Sequence, residues 1–140
     1  MPTMDETAKS KNMAKNAEFF SIGLENKYNK NYNVAIENFE KALEAFPEDH
    51  ASMFELSALY SNIGLSEKGF DMIKKAVELD DSNKWYKIRL AEFYKQQYNY
   101  DSFINIYDEL LKNDPNNLEY LEAYIDALLH LERYEQVIEK

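Results

Sequence analysis

The chain has no cysteine. Disulfides, thiolate nucleophiles and cysteine-ligated metals are therefore excluded at once. Its two histidines, His50 and His130, lie more than two repeat lengths apart, so no pair of imidazoles stands ready for acid–base work. Glycine and proline are scarce, 3 of each in 140 residues, which suits a chain almost wholly in helices with short connections. No glycine-rich phosphate loop occurs. Bases are outnumbered, 16 Lys and Arg against 26 Asp and Glu for a net charge of −10. A phosphate backbone would be repelled by most of this surface, so no nucleic acid is expected as a partner. No apolar run is long enough to cross a bilayer, so no membrane insertion is expected. The N-terminal MPTMDETAKS also lacks the apolar core of a signal peptide. A soluble cytoplasmic location is the default, with a periplasmic or secreted one if a signal peptide has been removed.

Apolar and aromatic residues are abundant. With 45% hydrophobic residues, 11 Tyr and 8 Phe, the chain can bury a continuous core in which aromatics pack between layers. Their spacing is informative. NAEFFSIGLENKY (residues 16–28) and YNVAIENFEKALEAF (32–46) each carry apolar residues three or four apart, the mark of one buried helix face. A polar NKN separates the two runs, and Pro47 closes the second. This helix–turn–helix unit recurs every 34 residues. Phe19, Ile22, Gly23, Phe39, Ala42 and Pro47 become Met53, Leu56, Ser57, Ile73, Ala76 and Asp81. A further step gives Leu90, Ala91, Tyr107, Leu110 and Pro115, and the last gives Leu121, Tyr124 and Ile125. An internal period of this length predicts an all-α solenoid of antiparallel helix pairs.

The units are 16–49, 50–83, 84–117 and an incomplete 118–140, about three and a half in all. Residues 1–15 read as a flexible segment, disordered to about residue 9 and helical from about Ser10. Asn33 and Ser66 are expected to cap second helices, and Gly64 to end a first helix. Glu48 and Asp49 place negative charge at the next helix start, and DDSN at 80–83 reads as a turn rather than a calcium loop. His50 beside those acids fits a helix start better than a zinc pattern, so no metal and no cofactor is expected. Gly69 lies inside a helix, where glycine costs roughly 1 kcal/mol against Ala, which argues for a close helix crossing. The last unit stops within its expected second helix, around Tyr134, with no polar capping helix after it.

The pattern of Phe19, Ile22-Gly23, Ala35, Phe39, Ala42 and Pro47, repeated without insertion over residues 16–140, resembles the tetratricopeptide repeat (TPR) family. It reads as a fragment of a longer array. The resemblance implies a right-handed superhelix whose first helices line a concave groove for peptides or partner helices. Phe103, Leu110 and Ile125 depart from the family's small residues, so the third and fourth layers are expected to pack more widely. One subclass holds a carboxylate with Lys, Asn and Arg; the matching positions here are Phe20, Leu24, Glu55, Trp85 and Arg89. Only Arg89 fits, and Glu55 would repel such a ligand.

Helical spacing makes Phe20, Leu24, Tyr28, Phe54, Trp85, Ile88, Arg89, Glu122 and Asp126 the peptide-groove candidates. Exposed aromatics would serve as anchors, although Phe20 and Trp85 could equally be core residues. The expected function is a non-catalytic protein–protein interaction module, not an enzyme. Its partner would be another protein offering an apolar and basic peptide or helix. The alternative is a scaffold element that self-associates or stacks as a homodimer through its terminal repeat, with Leu128, Val137 and Ile138 as the contact.

Overall fold

The computed structural model describes the backbone over residues 4–139 and side chains over residues 6–132. Among the described residues there are seven helices and no strand. They are α1 (Met4–Tyr28), α2 (Tyr32–Ala45), α3 (His50–Asn62), α4 (Ser66–Leu79), α5 (Lys84–Gln96), α6 (Tyr100–Asn113) and α7 (Leu118–Glu139). They fall into two compact units, one of α1–α4 and one of α5–α7.

The turns repeat as faithfully as the helices. Each of α1, α3 and α5 ends with a left-handed residue: Lys30 (φ 64°), Gly64 (φ 86°) and Tyr98 (φ 60°). In each case the following N–H reaches back to a carbonyl five residues earlier. Asn31 N–H bonds Asn26 O (2.8 Å), Leu65 bonds Tyr60 (2.8 Å) and Asn99 bonds Tyr94 (2.9 Å). That is the Schellman closure, which satisfies carbonyls the helix leaves open. Gly64 matches the expected helix end; Lys30 and Tyr98 adopt the same conformation without glycine's freedom. The joints between pairs also repeat. Asp49, Asn83 and Asn117 each accept a backbone N–H from the helix that follows, at 3.1, 3.0 and 3.1 Å. Asp49 is buried and also accepts from Ser52 Oγ (2.5 Å) and Asn16 Nδ2 (2.7 Å), which ties α1 to the start of α3.

Three sequence expectations need correction. Asn33 lies inside α2 and Ser66 inside α4; the cap positions fall to Asn31 and Leu65, neither of which makes a side-chain cap bond. The Schellman closure has already fixed the chain's direction there, so a capping side chain is not required. Helix α1 begins at Met4 rather than near Ser10, through a segment of good helix formers (Ala8, Lys9, Lys11, Ala14, Lys15) with no internal Gly or Pro. Finally, no second helix begins near Tyr134: α7 runs unbroken to Glu139. Where the complete pairs turn at Lys30, Gly64 and Tyr98, α7 has Leu131, Glu132 and Arg133, all strong helix formers.

In the first unit Ala35, Ile36 and Phe39 of α2 meet Leu56, Leu59 and Tyr60 of α3, with Phe20, Leu43 and Met72 packed around them. Gly23 makes the α1/α2 crossing possible. A Cβ there would stand 2.8 Å from the Phe39 ring. In the second unit Ala91, Phe103, Ile104, Tyr107, Leu110, Tyr120 and Ala127 form the core. Its rings interlock, Phe103 stacked on Tyr107 (4.6 Å) and Tyr107 edge-on to Tyr120 (5.9 Å). Helices α5 and α6 approach each other less closely than α1 and α2 or α3 and α4. Phe103 and Leu110 stand where α2 and α4 carry Ala35 and Gly69, Ala42 and Ala76, and their bulk holds the third pair apart.

Candidate functional site

The candidate residues sit on the first helix of each pair. On α1, Leu24 and Tyr28 follow Phe20 at four-residue spacing and so share its stripe. They do not share its fate. Phe20 is half-buried and lays its ring edge-on against Phe39 (5.6 Å, 64°), which makes it a core residue. Leu24 is 38% exposed and Tyr28 91% exposed. Phe54 on α3 is half-buried. Between α1 and α3, Lys27 Nζ stands 2.5 Å from Glu55 Oε2. Glu55 therefore has a cation of its own, and the charge expected to repel an anionic ligand is largely offset. Local spacing could not reveal this pair, whose members are 28 residues apart.

On α5, Trp85 is the second residue and is 61% exposed, with Lys84 Nζ 5.1 Å above its ring. Trp85 is thus outside the core. Ile88 is half-buried and packs on the second unit's core. Arg89 Nε stands 3.6 Å from Glu92 Oε2, so this cation is already engaged. Glu122 and Asp126 on α7 are exposed. Asp126 meets Lys95 Nζ at 3.9 Å and His130 Nδ1 at 3.6 Å. The His130 ring donates from Nδ1 to the Asp126 carbonyl (2.8 Å) and stacks on Tyr100 (5.4 Å). The two were overlooked as a pair, although residues four apart on one helix face each other. Of the self-association candidates, Leu128 is 40% exposed, and Val137 and Ile138 lie outside the described side chains.

Three tyrosines have their hydroxyl pKa displaced, all upward. Burial, reinforced by a hydrogen bond and the charge of Glu40, pushes Tyr60 to about 12. Burial, then Glu92, Tyr120 and Glu119, raises Tyr107. A hydrogen bond to Asp108 raises Tyr124. Each shift favours the protonated hydroxyl. Among the described residues no group of three or more His, Asp or Glu is placed to hold a metal ion. No described helix is long and apolar enough to cross a membrane.

A sequence profile of the tetratricopeptide repeat matches residues 19–49. Together with the 34-residue recurrence of helices, turns and caps, that decides the family. The chain is a tetratricopeptide repeat protein. Its described helices make an all-α fold of about three and a half TPR units. Hsp70-Hsp90 organizing protein 3 of Arabidopsis thaliana is 31% identical over 94 residues, 66% of this chain and 16% of the relative. Tetratricopeptide repeat protein 21A of Mus musculus is 26% identical over 107 residues, 76% of this chain and 8% of the relative. The TPR chain thus spans only a small part of the length of these relatives. Among solved structures, the first TPR of Spaghetti (RPAP3) bound to HSP90 peptide SRMEEVD superposes with a TM-score of 0.73. It has 18% identity over 86% of this chain and 98% of that one. Yeast Tom70 gives 0.78 at 23% identity, over 89% of this chain and 26% of that one. At such identities the structural likeness establishes the TPR fold alone.

Proposed function

We propose that the chain is a non-catalytic module that binds a segment of another protein through exposed side chains of its first helices. One observation carries this reading. Leu24, Tyr28 and Trp85 are large apolar or amphipathic side chains left in solvent on first helices, 38%, 91% and 61% exposed. Exposed anchors of this kind are the usual centre of a protein interface. Relatives support the class: one bears the name Hsp70-Hsp90 organizing protein, and one structural neighbour holds an HSP90 peptide.

The chemistry favours a different peptide here. SRMEEVD is acidic. Of the positions that resemble a carboxylate clamp, Phe20 is core, Leu24 and Trp85 are uncharged, Glu55 is an acid paired with Lys27 and Arg89 is paired with Glu92. With exposed Glu122 and Asp126 on α7, an apolar and basic segment is the better complement.

Trp85 is the single tryptophan, so its emission reports on this face alone. Apolar–basic peptides should shift that emission to the blue, SRMEEVD should not, and Trp85→Ala should weaken capture roughly tenfold. Tight peptide binding that leaves both the emission and the Trp85→Ala affinity unmoved would place the site elsewhere.

A further inference from the structure

Glu55 is the single acid of α3, and it faces α1, where Lys27 Nζ stands 2.5 Å from its Oε2. The Glu55 side chain is only 14% exposed, whereas that of Lys27 is 44% exposed. A carboxylate offers two oxygens and about four acceptor positions. Among the described residues Lys27 is its sole hydrogen-bond donor. A largely desolvated acid is thus held by one ammonium, with accepting capacity left over. Leu24 precedes Lys27 by three residues and Ala58 follows Glu55 by three, so each lies beside its member of the pair on the same helix face. Leu24 is exposed and Ala58 half-buried. Both offer apolar surface on which the stem of an incoming side chain can lie.

Net charge does not choose a partner here. Glu25 and Glu55 stand against Lys27 and Lys30, and Asp49, the acid that caps α3, is taken up by Asn16 and Ser52. His50, five residues before Glu55, falls on another side of α3. An added base therefore gains only if it binds the carboxylate better than Lys27 already does. A partner's ammonium would repeat the bond that Lys27 makes, and Lys27 is tethered beside the site. A guanidinium brings a planar fork that donates two parallel N–H bonds, one to each carboxylate oxygen. The exposed Lys27 ammonium loses little by returning to water. We propose that Glu55 selects arginine in the partner: it receives a guanidinium in place of Lys27, which holds the carboxylate when no partner is bound. This rests on the reading that the first helices hold the partner, and adds which base the partner presents.

The test uses the full chain and two synthetic peptides of one leucine–alanine sequence, with arginine at every basic position in the first and lysine in the second. Affinity is read from the anisotropy of a dye on the peptide, and the state of Lys27 from its ε-methylene NMR signal. The arginine peptide should shift the Lys27 signal and bind roughly tenfold more tightly than the lysine peptide. Glu55→Gln should bring the arginine peptide down to the affinity of the lysine peptide and leave the latter nearly unchanged. Lys27→Met should tighten the lysine peptide roughly fivefold, because the carboxylate no longer has its own cation. Equal binding of the two peptides to the unaltered chain, or an arginine preference that survives Glu55→Gln, would overturn the proposal. So would a Glu55→Gln variant that weakens both peptides alike, because the pair would then serve only to join α1 to α3. If both peptides bind equally and Trp85→Ala weakens them, arginine selection falls while binding by the first helices stands. Binding of neither peptide would overturn both.

Discussion

Replacing Gly23 with alanine isolates the contact on which the first helix pair depends. The new Cβ would lie 2.8 Å from Phe39 Cε1 and 2.9 Å from Cδ1 and Cζ. Ordinary contact begins at 3.4 Å, so the ring would have to retreat by about 0.6 Å. It has little room to do so. Phe39 is fully buried, held edge-on by Phe20 and enclosed with Ala35, Ile36, Leu56 and Leu59. Two effects oppose each other. Alanine gains about 1 kcal/mol over glycine inside a helix. Overpacking a filled core costs about 1–3 kcal/mol. The ring is clasped on several sides, so the upper part of that range applies and the net loss is about 1–2 kcal/mol. Thermal unfolding followed by circular dichroism should show a melting point lower by roughly 4–8 °C. The companion experiment separates the terms. In a Phe39→Leu background, where the ring is gone, Gly23→Ala should be neutral or stabilising. A rise in melting temperature with Phe39 intact would refute the argument.

The left-handed turns make a second prediction: Gly64→Ala should cost about 1 kcal/mol although nothing stands near the added methyl, and Tyr98→Gly should recover up to a similar amount, both read from denaturant midpoints. Asp49→Ala should cost about 2 kcal/mol, because the change strips partners from the Ser52 N–H, the Ser52 hydroxyl and the Asn16 amide in a buried joint. Asp49→Asn, which keeps an acceptor for the cap, should cost less. For pH, Tyr60 has its folded-state pKa raised from 10 to about 12. The unfolded chain therefore loses this proton first, so the contribution is complete below pH 10 and is lost as the pH rises toward 12. Tyr60→Phe should flatten the stability curve in that window, and phenolate absorbance should show the corresponding late-titrating tyrosine.

The sequence made the period and the helices legible because burial imposes a spacing that survives substitution. Phe39, Ile73 and Tyr107 differ in chemistry and share a position. The turns were less legible. Gly64 announces a left-handed residue, whereas Lys30 and Tyr98 are ordinary residues held there by the helices on either side, and only their register with Gly64 gives them away. The end of α7 was misread for the converse reason: periodicity carried a turn forward to a stretch whose residues all favour helix. At the site, spacing singled out Leu24, Tyr28 and Trp85, which are exposed, but could not separate from them Phe20, which packs on Phe39. Whether a ring faces solvent depends on what the neighbouring helix presents, here Phe39. Ion pairs between helices, such as Lys27 with Glu55, are invisible to local pattern for the same reason.

The account rests on exposed side chains of the first helices as the binding elements. Its most direct test is amide NMR of the labelled chain titrated with the apolar–basic peptide that moves Trp85 emission most. Shifts at Trp85, Ile88 and Arg89 on α5 are the predicted result. Shifts confined to the second helices α2, α4 and α6, with the first helices silent, would contradict it.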